Sequence, residues 1–259
     1  MIKIIGSSIF SHQIEQYQSQ LFRLPALELE DYLDPGFADR DRQSLASIKA
    51  LLKGYAGKIL LSGPYIDLNP GSSESLIVAA TRRRFEQAYH FATQIGASEI
   101  IFLSSFLPII QVSYYERGWV AQSVAFWRSF MRGVDEGVTI SLGNTFEFTP
   151  DLMVEVVEGL AQPNFRLAFD LGHFLVYGRV DLRDWMEKAG PYCSVVYVHS
   201  SDGRVDTHDA PYNGKLRPND LALVAQMVPQ EATYIAKMGD KDKMDSSVVW
   251  IKAHVDPDD

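Results

Sequence analysis

The 259-residue chain contains a single cysteine, Cys193. One thiol forms no internal disulfide and no thiolate cluster for a metal, and it fits a reducing, cytoplasmic compartment. Its surroundings, Pro191-Tyr192-Cys193-Ser194-Val195-Val196, read as the start of a strand, so a buried and inert thiol is expected rather than a nucleophile. No apolar run approaches the ~18 residues of a membrane-spanning helix. The opening Met1-Ile2-Lys3-Ile4-Ile5-Gly6 is too short for a signal peptide and reads as a first strand. Basic side chains are in the minority, 24 against 33 acidic, for a net charge of −9, which disfavours a nucleic-acid partner. The chain also lacks a G-x-G-x-x-G turn: the expected first turn is Gly6-Ser7-Ser8.

What is present is a regular alternation. Strand-like runs fall at Ile2–Ile5, Ala26–Leu29, Lys58–Ser62, Glu99–Ser104, Thr139–Leu142, Arg166–Asp170, Ser194–His199 and Thr233–Lys237. Amphipathic stretches separate them. The clearest, Ser75–Ile95, repeats Thr81, Phe85, Ala88, Ala92 and Ile95 at steps of three and four, with Gly96 at the place of a C-terminal cap. Asp181 and Thr149-Pro150 are candidate helix starts. Eight units in 259 residues, about 32 each, suit a (β/α)8 TIM barrel better than a doubly wound open sheet. No low-complexity linker divides the chain, so one domain over 1–259 is expected.

Residues able to do chemistry gather at strand ends, where such a barrel carries its working loops. Strand six ends Phe169-Asp170-Leu171-Gly172-His173. Strand seven runs out through Val198-His199-Ser200-Ser201-Asp202-Gly203-Arg204-Val205-Asp206-Thr207-His208. Two carboxylates and three imidazoles converging on one mouth form a candidate divalent-metal set, although each is equally readable as a hydrogen-bonded core group or a solvated loop residue. The aromatic residues Trp119, Phe126, Trp127 and Phe130 read as core or lid packing. The long apolar segment Phe106–Trp119 is a candidate cover for the mouth or a homo-oligomer contact.

These stretches, together with Ser62-Gly63-Pro64-Tyr65-Ile66-Asp67-Leu68-Asn69-Pro70-Gly71 and Gly143-Asn144-Thr145-Phe146-Glu147, resemble the xylose isomerase-like TIM barrels. That family includes sugar-phosphate isomerases and epimerases and the endonuclease IV type. The resemblance implies a barrel mouth with one to three divalent metals. The matching metal positions are Asp170, His173, His199, Asp206 and His208. Four others depart from the pattern: Ser62 and Leu103 stand where histidines are usual, Gly143 and Lys237 where glutamates are. The complete remaining set is His173, Asp206 and His208, so at most one metal, Zn2+ or Mn2+, is expected. The resemblance also makes Asp170, His199 and Lys237 catalytic candidates, and Asn144, Glu147 and Arg204 candidates for substrate binding. The Lys237 ammonium is a candidate holder of a phosphate or carboxylate, or else a lysine snorkelling at the barrel rim.

Three functions stay open at this stage. One is isomerisation or epimerisation of a small polyol or sugar phosphate. A second is hydrolysis of a small phosphodiester, and a third is a barrel that binds such a small molecule without turnover.

Overall fold

The computed structural model describes residues 3–255. Eight parallel strands close in sequence order: β1 (Ile4–Ile9), β2 (Ala26–Leu29), β3 (Lys58–Ser62), β4 (Glu99–Leu103), β5 (Thr139–Gly143), β6 (Phe165–Asp170), β7 (Cys193–Val198) and β8 (Thr233–Ala236). The last pairs back onto β1, with Gly6 opposite Ile235. The helices of the outer ring are α1 (Ile14–Leu21), α2 (Asp41–Leu51), α3 (Ser75–Ile95), α4 (Ser113–Met131), α5 (Asp151–Leu160), α6 (Leu171–Tyr177), α7 (Leu182–Ala189), α8 (Pro218–Met227) and α9 (Met244–Val255). This is a (β/α)8 TIM barrel. No helix among the described residues is long and apolar enough to cross a membrane.

The strands are buried on both faces, and their two-residue period sorts the side chains. Leu27, Leu29, Val196, Val198, Tyr234 and Ala236 face the helices and join the larger apolar core. Ala26, Leu60, Ile101, Ala168, Val195, Tyr197 and Ile235 fill the barrel interior. Two residues further along these inward rows stand Glu28, Ser62, Asp170, His199 and Lys237. The same alternation that packs the barrel therefore delivers polar groups to its C-terminal end. At the opposite end the buried Glu99 carboxylate accepts from Lys58 and from Ser141, each at 2.6 Å.

The helix expected over Ser75–Ile95 has those bounds, buries Thr81, Phe85, Ala88, Ala92 and Ile95, and ends on Gly96 at φ 76°. Phe85 stacks on Phe102 of β4 at 4.1 Å, and Trp127 of α4 joins them, so the α4 aromatics are packing groups. Cys193 is fully buried, and burial pushes its thiol up to about 12.

Three local expectations are corrected. The first strand is not Ile2–Ile5 but Ile4–Ile9, with Ile2 outside the described residues. Gly6-Ser7-Ser8 is consequently strand rather than turn. A Cβ at Gly6 would lie 2.3 Å from the Ala26 carbonyl oxygen, so glycine lets β1 and β2 approach, and Ser7 Oγ satisfies itself on the Ala236 carbonyl at 3.2 Å. Pro150, not Thr149, flanks α5, and Asp181 caps α7 without a side-chain hydrogen bond. Over Phe106–Trp119, which runs from the β4–α4 connection into α4, Phe106 and Trp119 are buried against each other, while Leu107, Ile109, Ile110, Val112 and Tyr114 are exposed.

Candidate metal centre

Asp170 ends β6 and caps α6. Its Oδ1 accepts the His173 amide at 2.8 Å, and the same oxygen accepts His199 Nε2 at 2.8 Å. Gly172 makes this possible: a Cβ there would fall 2.1–2.4 Å from three atoms of the His199 ring. His173 donates Nδ1 to the Asn144 carbonyl at 2.8 Å. Asn144 is itself pinned by its amide to the Asp170 backbone, at 2.7 and 3.0 Å.

Asp206 and His208 arrive on the loop after β7, which Ser200 and Asp209 pinch together through two backbone hydrogen bonds. His208 has φ 49°, the left-handed region that non-glycine residues seldom occupy. In that conformation its Nδ1 donates to the Lys237 carbonyl at 2.7 Å and its own carbonyl accepts from the Gly239 amide at 2.9 Å. Such a strained residue persists only where its surroundings hold it.

Each imidazole thus spends one nitrogen on an outer oxygen and turns the other inward. His173 Nε2 and His208 Nε2 each lie 3.1 Å from Asp206 Oδ2, and His199 Nδ1 lies 3.8 Å from Asp206 Oδ1. One donor atom from each of His173, His199, Asp206 and His208 falls within 4.8 Å of the others. Two of them, His199 Nδ1 and Asp206 Oδ1, are buried without any hydrogen-bond partner. Three imidazoles and a carboxylate, each ring held from behind by an acceptor, are the donors and outer shell of a Zn2+- or Mn2+-type site. The residues fit a divalent metal, and the cluster could hold one.

The electrostatics agree. Burial alone would lower His173, but the Asp170 and Asp206 carboxylates hold it up to about 9. Burial likewise opposes His208, which its hydrogen bond to Asp206 and the nearby carboxylates raise. His199 is lowered by burial, which keeps it neutral with Nδ1 bare. Asp170 and Asp206 are held well below the usual carboxylate range, burial being outweighed by the imidazoles around them.

His173, Asp206 and His208 form one wall of a cavity of about 300 Å³, whose other walls include Tyr65, Phe146, Tyr177, Tyr197, Leu103 and Lys237. Lys237 reaches this cavity, but its ammonium is already engaged: it donates to Glu28 Oε2 at 3.1 Å and Ser62 Oγ at 3.0 Å, and pairs with Glu30 Oε1 at 3.3 Å. The ammonium read from the sequence as a candidate holder of a phosphate or carboxylate is thus already paired with two carboxylates, from β2 and its exit.

Not every candidate residue converges. Asp170 stands behind His199 and His173 rather than among the four inward donor atoms. Asn144 orients His173 and Asp170 from a buried position. Glu147 is buried away from the cavity, where it accepts from Ser104 Oγ and from the Thr145 amide. Arg204 is exposed on the β7–α8 loop, outside the cavity walls. The inward carboxylates Glu28 and Glu30 went unnoticed in the sequence. Their signal was the alternation Ala26-Leu27-Glu28-Leu29-Glu30 in a strand with no solvent face.

A family model described as xylose isomerase-like TIM barrel matches residues 24–228. An uncharacterised protein of Methanocaldococcus jannaschii is 22% identical over 161 residues, covering 60% of this chain. The match spans 55% of that relative, about half its length. Among solved structures, a D-tagatose 3-epimerase-like protein superposes with a TM-score of 0.77 at 17% identity, covering 98% of this chain and 97% of its own. The IolI protein with a bound zinc atom superposes with a TM-score of 0.75 at 12% identity, covering 98% and 96%.

Proposed function

The chain belongs to the xylose isomerase-like TIM barrel family, and on that footing we propose that its C-terminal mouth binds a small polyol or sugar and isomerises or epimerises it beside one divalent metal. The observation that carries this reading is the pair of orphaned donor atoms, His199 Nδ1 and Asp206 Oδ1, in a four-residue ligand set of which His173, Asp206 and His208 line a cavity of about 300 Å³ and His199 is buried behind them. His173, His199, Asp206 and His208 would hold the ion, Zn2+ or Mn2+. When bound, it supplies Lewis-acid polarisation of a carbonyl or hydroxyl oxygen. The sugar epimerase-like and zinc-bound barrels of the same fold support the assignment.

The chain's own residues define the rest of the site. Tyr65, Phe146, Tyr177 and Tyr197 supply aromatic walls for the C–H faces of a compact ligand. Lys237 stands at the floor already neutralised by Glu28 and Glu30, which favours hydroxyl groups over a phosphate. Asp170 keeps the His199 proton on Nε2, which leaves Nδ1 as an acceptor.

A second reading, binding without turnover, is favoured by one observation. The strand ends where the family resemblance implies proton-shuttling glutamates carry Gly143 and Lys237. A Cβ at Gly143 would already lie 3.0 Å from Leu103 Cδ2, so leucine fills that space. The single ligand set among the described residues weighs against the clustered-metal chemistry of phosphodiester hydrolysis.

Carbon-bound hydrogen exchange in D2O, followed by NMR over a panel of aldoses, ketoses and their phosphates with Mn2+- or Zn2+-loaded protein, separates the readings. Exchange into an unphosphorylated sugar, lost in His208→Ala, is the expected result. Binding without exchange supports the second reading, and no binding of any panel member refutes both.

A further inference from the structure

We propose that the buried ionic clasp Glu28–Lys237–Glu30–Lys241 is a positioning device for His208, and so sets the metal affinity of a site to which its side chains supply no ligand. The inference rests on the metal reading above. Its residues come from two places: Glu28 and Glu30 from β2 and its exit, Lys237 and Lys241 from the segment after β8. All four are buried, at 0, 6, 8 and 6% exposure.

Both ammonium groups are paired with carboxylates. Lys237 meets Glu28, Glu30 and Ser62 as described, with the Tyr197 ring 4.3 Å away. Lys241 Nζ donates to Glu30 Oε2 at 3.1 Å, Ser8 Oγ at 3.2 Å and the Met238 carbonyl at 2.9 Å. The Lys241 ammonium uses all three N–H bonds, and that of Lys237 uses two and adds the Glu30 ion pair. Glu30 bridges the two lysines, one oxygen to each, so residues 237 to 241 are tied to β2 at both ends.

Between those two ties the same segment grips His208. The Lys237 carbonyl receives Nδ1 at 2.7 Å, and the Gly239 amide donates to the His208 carbonyl at 2.9 Å. These two bonds hold a residue at φ 49°. Strand closure does not need the clasp, because β1 and β8 pair through their backbones from Ile4–Thr233 to Ser7–Ala236. Stability alone is a poor reason for it, since well-packed apolar residues replace buried ion pairs without loss in many proteins. Its distinctive consequence is geometric. Releasing one lysine leaves a buried carboxylate uncompensated, the 237–241 segment shifts toward water, and His208 loses the two contacts that turn its ring inward.

The test is a competition titration of Zn2+ and Co2+ against a chromophoric chelator, with the Co2+ visible spectrum recorded for each variant. Lys241→Met and Glu30→Gln remove the tie nearest α9 and leave all four metal-binding residues in place. Lys58→Met breaks the pair with the buried Glu99 carboxylate at the far end of the barrel and, matched by its fall in urea midpoint, serves as the stability control. We expect Lys241→Met and Glu30→Gln to bind metal about 10–100-fold more weakly, still at one per chain, with an altered Co2+ spectrum. Lys58→Met, with a similar fall in urea midpoint, should keep the wild-type affinity and spectrum. If Lys241→Met does not fold, Glu30→Gln carries the test. Wild-type affinity and spectrum in the clasp variants overturn the proposal alone, as does equal weakening in Lys58→Met. A wild-type protein that binds neither ion overturns the metal reading, and the clasp proposal with it.

Discussion

His199 Nδ1 and Asp206 Oδ1 lie 3.8 Å apart, both buried, and neither has a hydrogen-bond partner. A buried polar atom left this way costs about 1–3 kcal/mol, and the two orphans point into the same small space as His173 Nε2 and His208 Nε2. A divalent cation held by these residues would satisfy both orphaned atoms.

Protein purified without chelator, or reconstituted with Zn2+, should carry one metal per chain by elemental analysis. At a hundredfold excess of free metal over Kd, binding to the native state alone adds about 2.7 kcal/mol. At roughly 2–4 °C per kcal/mol for a chain of this size class, that is a clear rise in Tm over the chelated protein. His199→Ala should abolish most of the rise. A Tm indifferent to both metal and chelator would contradict the site.

Gly172→Ala should destroy the site despite the better helix propensity of alanine. The added Cβ would stand 2.1 Å from His199 Cε1, and that ring is stacked on His208 at 3.9 Å with no room to retreat. We expect a loss of about 1–3 kcal/mol in urea unfolding, as for other overpacked positions, together with loss of metal binding. An alanine variant that binds metal normally would show that the ring has room to move.

Metal uptake at pH 7.5 should release protons. In the metal-free protein the carboxylates hold His173 up to about 9, so this ring carries a proton that coordination must displace, and they raise His208 in the same direction. Calorimetry in buffers of differing ionisation enthalpy should report release of at least about one proton per metal. Buffer-independent enthalpies would mean that the rings are already neutral.

Acid should weaken the fold partly through Glu30. Burial alone would raise this carboxyl, but the Lys237 and Lys241 ammonium groups bring it down to about 2. Because the folded value lies below the unfolded one, the stabilisation is full above about pH 4.5 and is lost as pH falls toward 2. Urea midpoints measured at pH 5, 4 and 3 should fall in wild type, and fall less steeply in Glu30→Gln from a lower starting point. Parallel slopes for the two proteins would place the acid sensitivity elsewhere.

Much of this was legible in the chain because it depends on short-range periodicity. Steps of three and four marked α3 to the residue, and eight apolar runs in 259 residues admitted a closed barrel. Strand-end position announced Asp170 and His199. Asp206 and His208 came from a D-x-H spacing on the next loop. Arg204 and Glu147 looked equally eligible, yet loop direction sends Arg204 to solvent, and Glu147 turns back onto Ser104 and the Thr145 amide. Nothing in nearest-neighbour spacing distinguishes these outcomes.

The single cysteine and the acidic balance already confined any metal to histidine and carboxylate ligands and discouraged nucleic acid, since both follow from composition alone. Closure of the barrel settled the remainder. It brought β2 beside the β8 exit across more than 200 residues of chain, giving Lys237 two carboxylates in place of a ligand. It also set His199 behind Gly172, with one nitrogen on Asp170 and the other bare. Those relationships are made by side chains meeting across the barrel axis and between adjacent strand ends. Their partners are distant in sequence, so only the folded chain determines them.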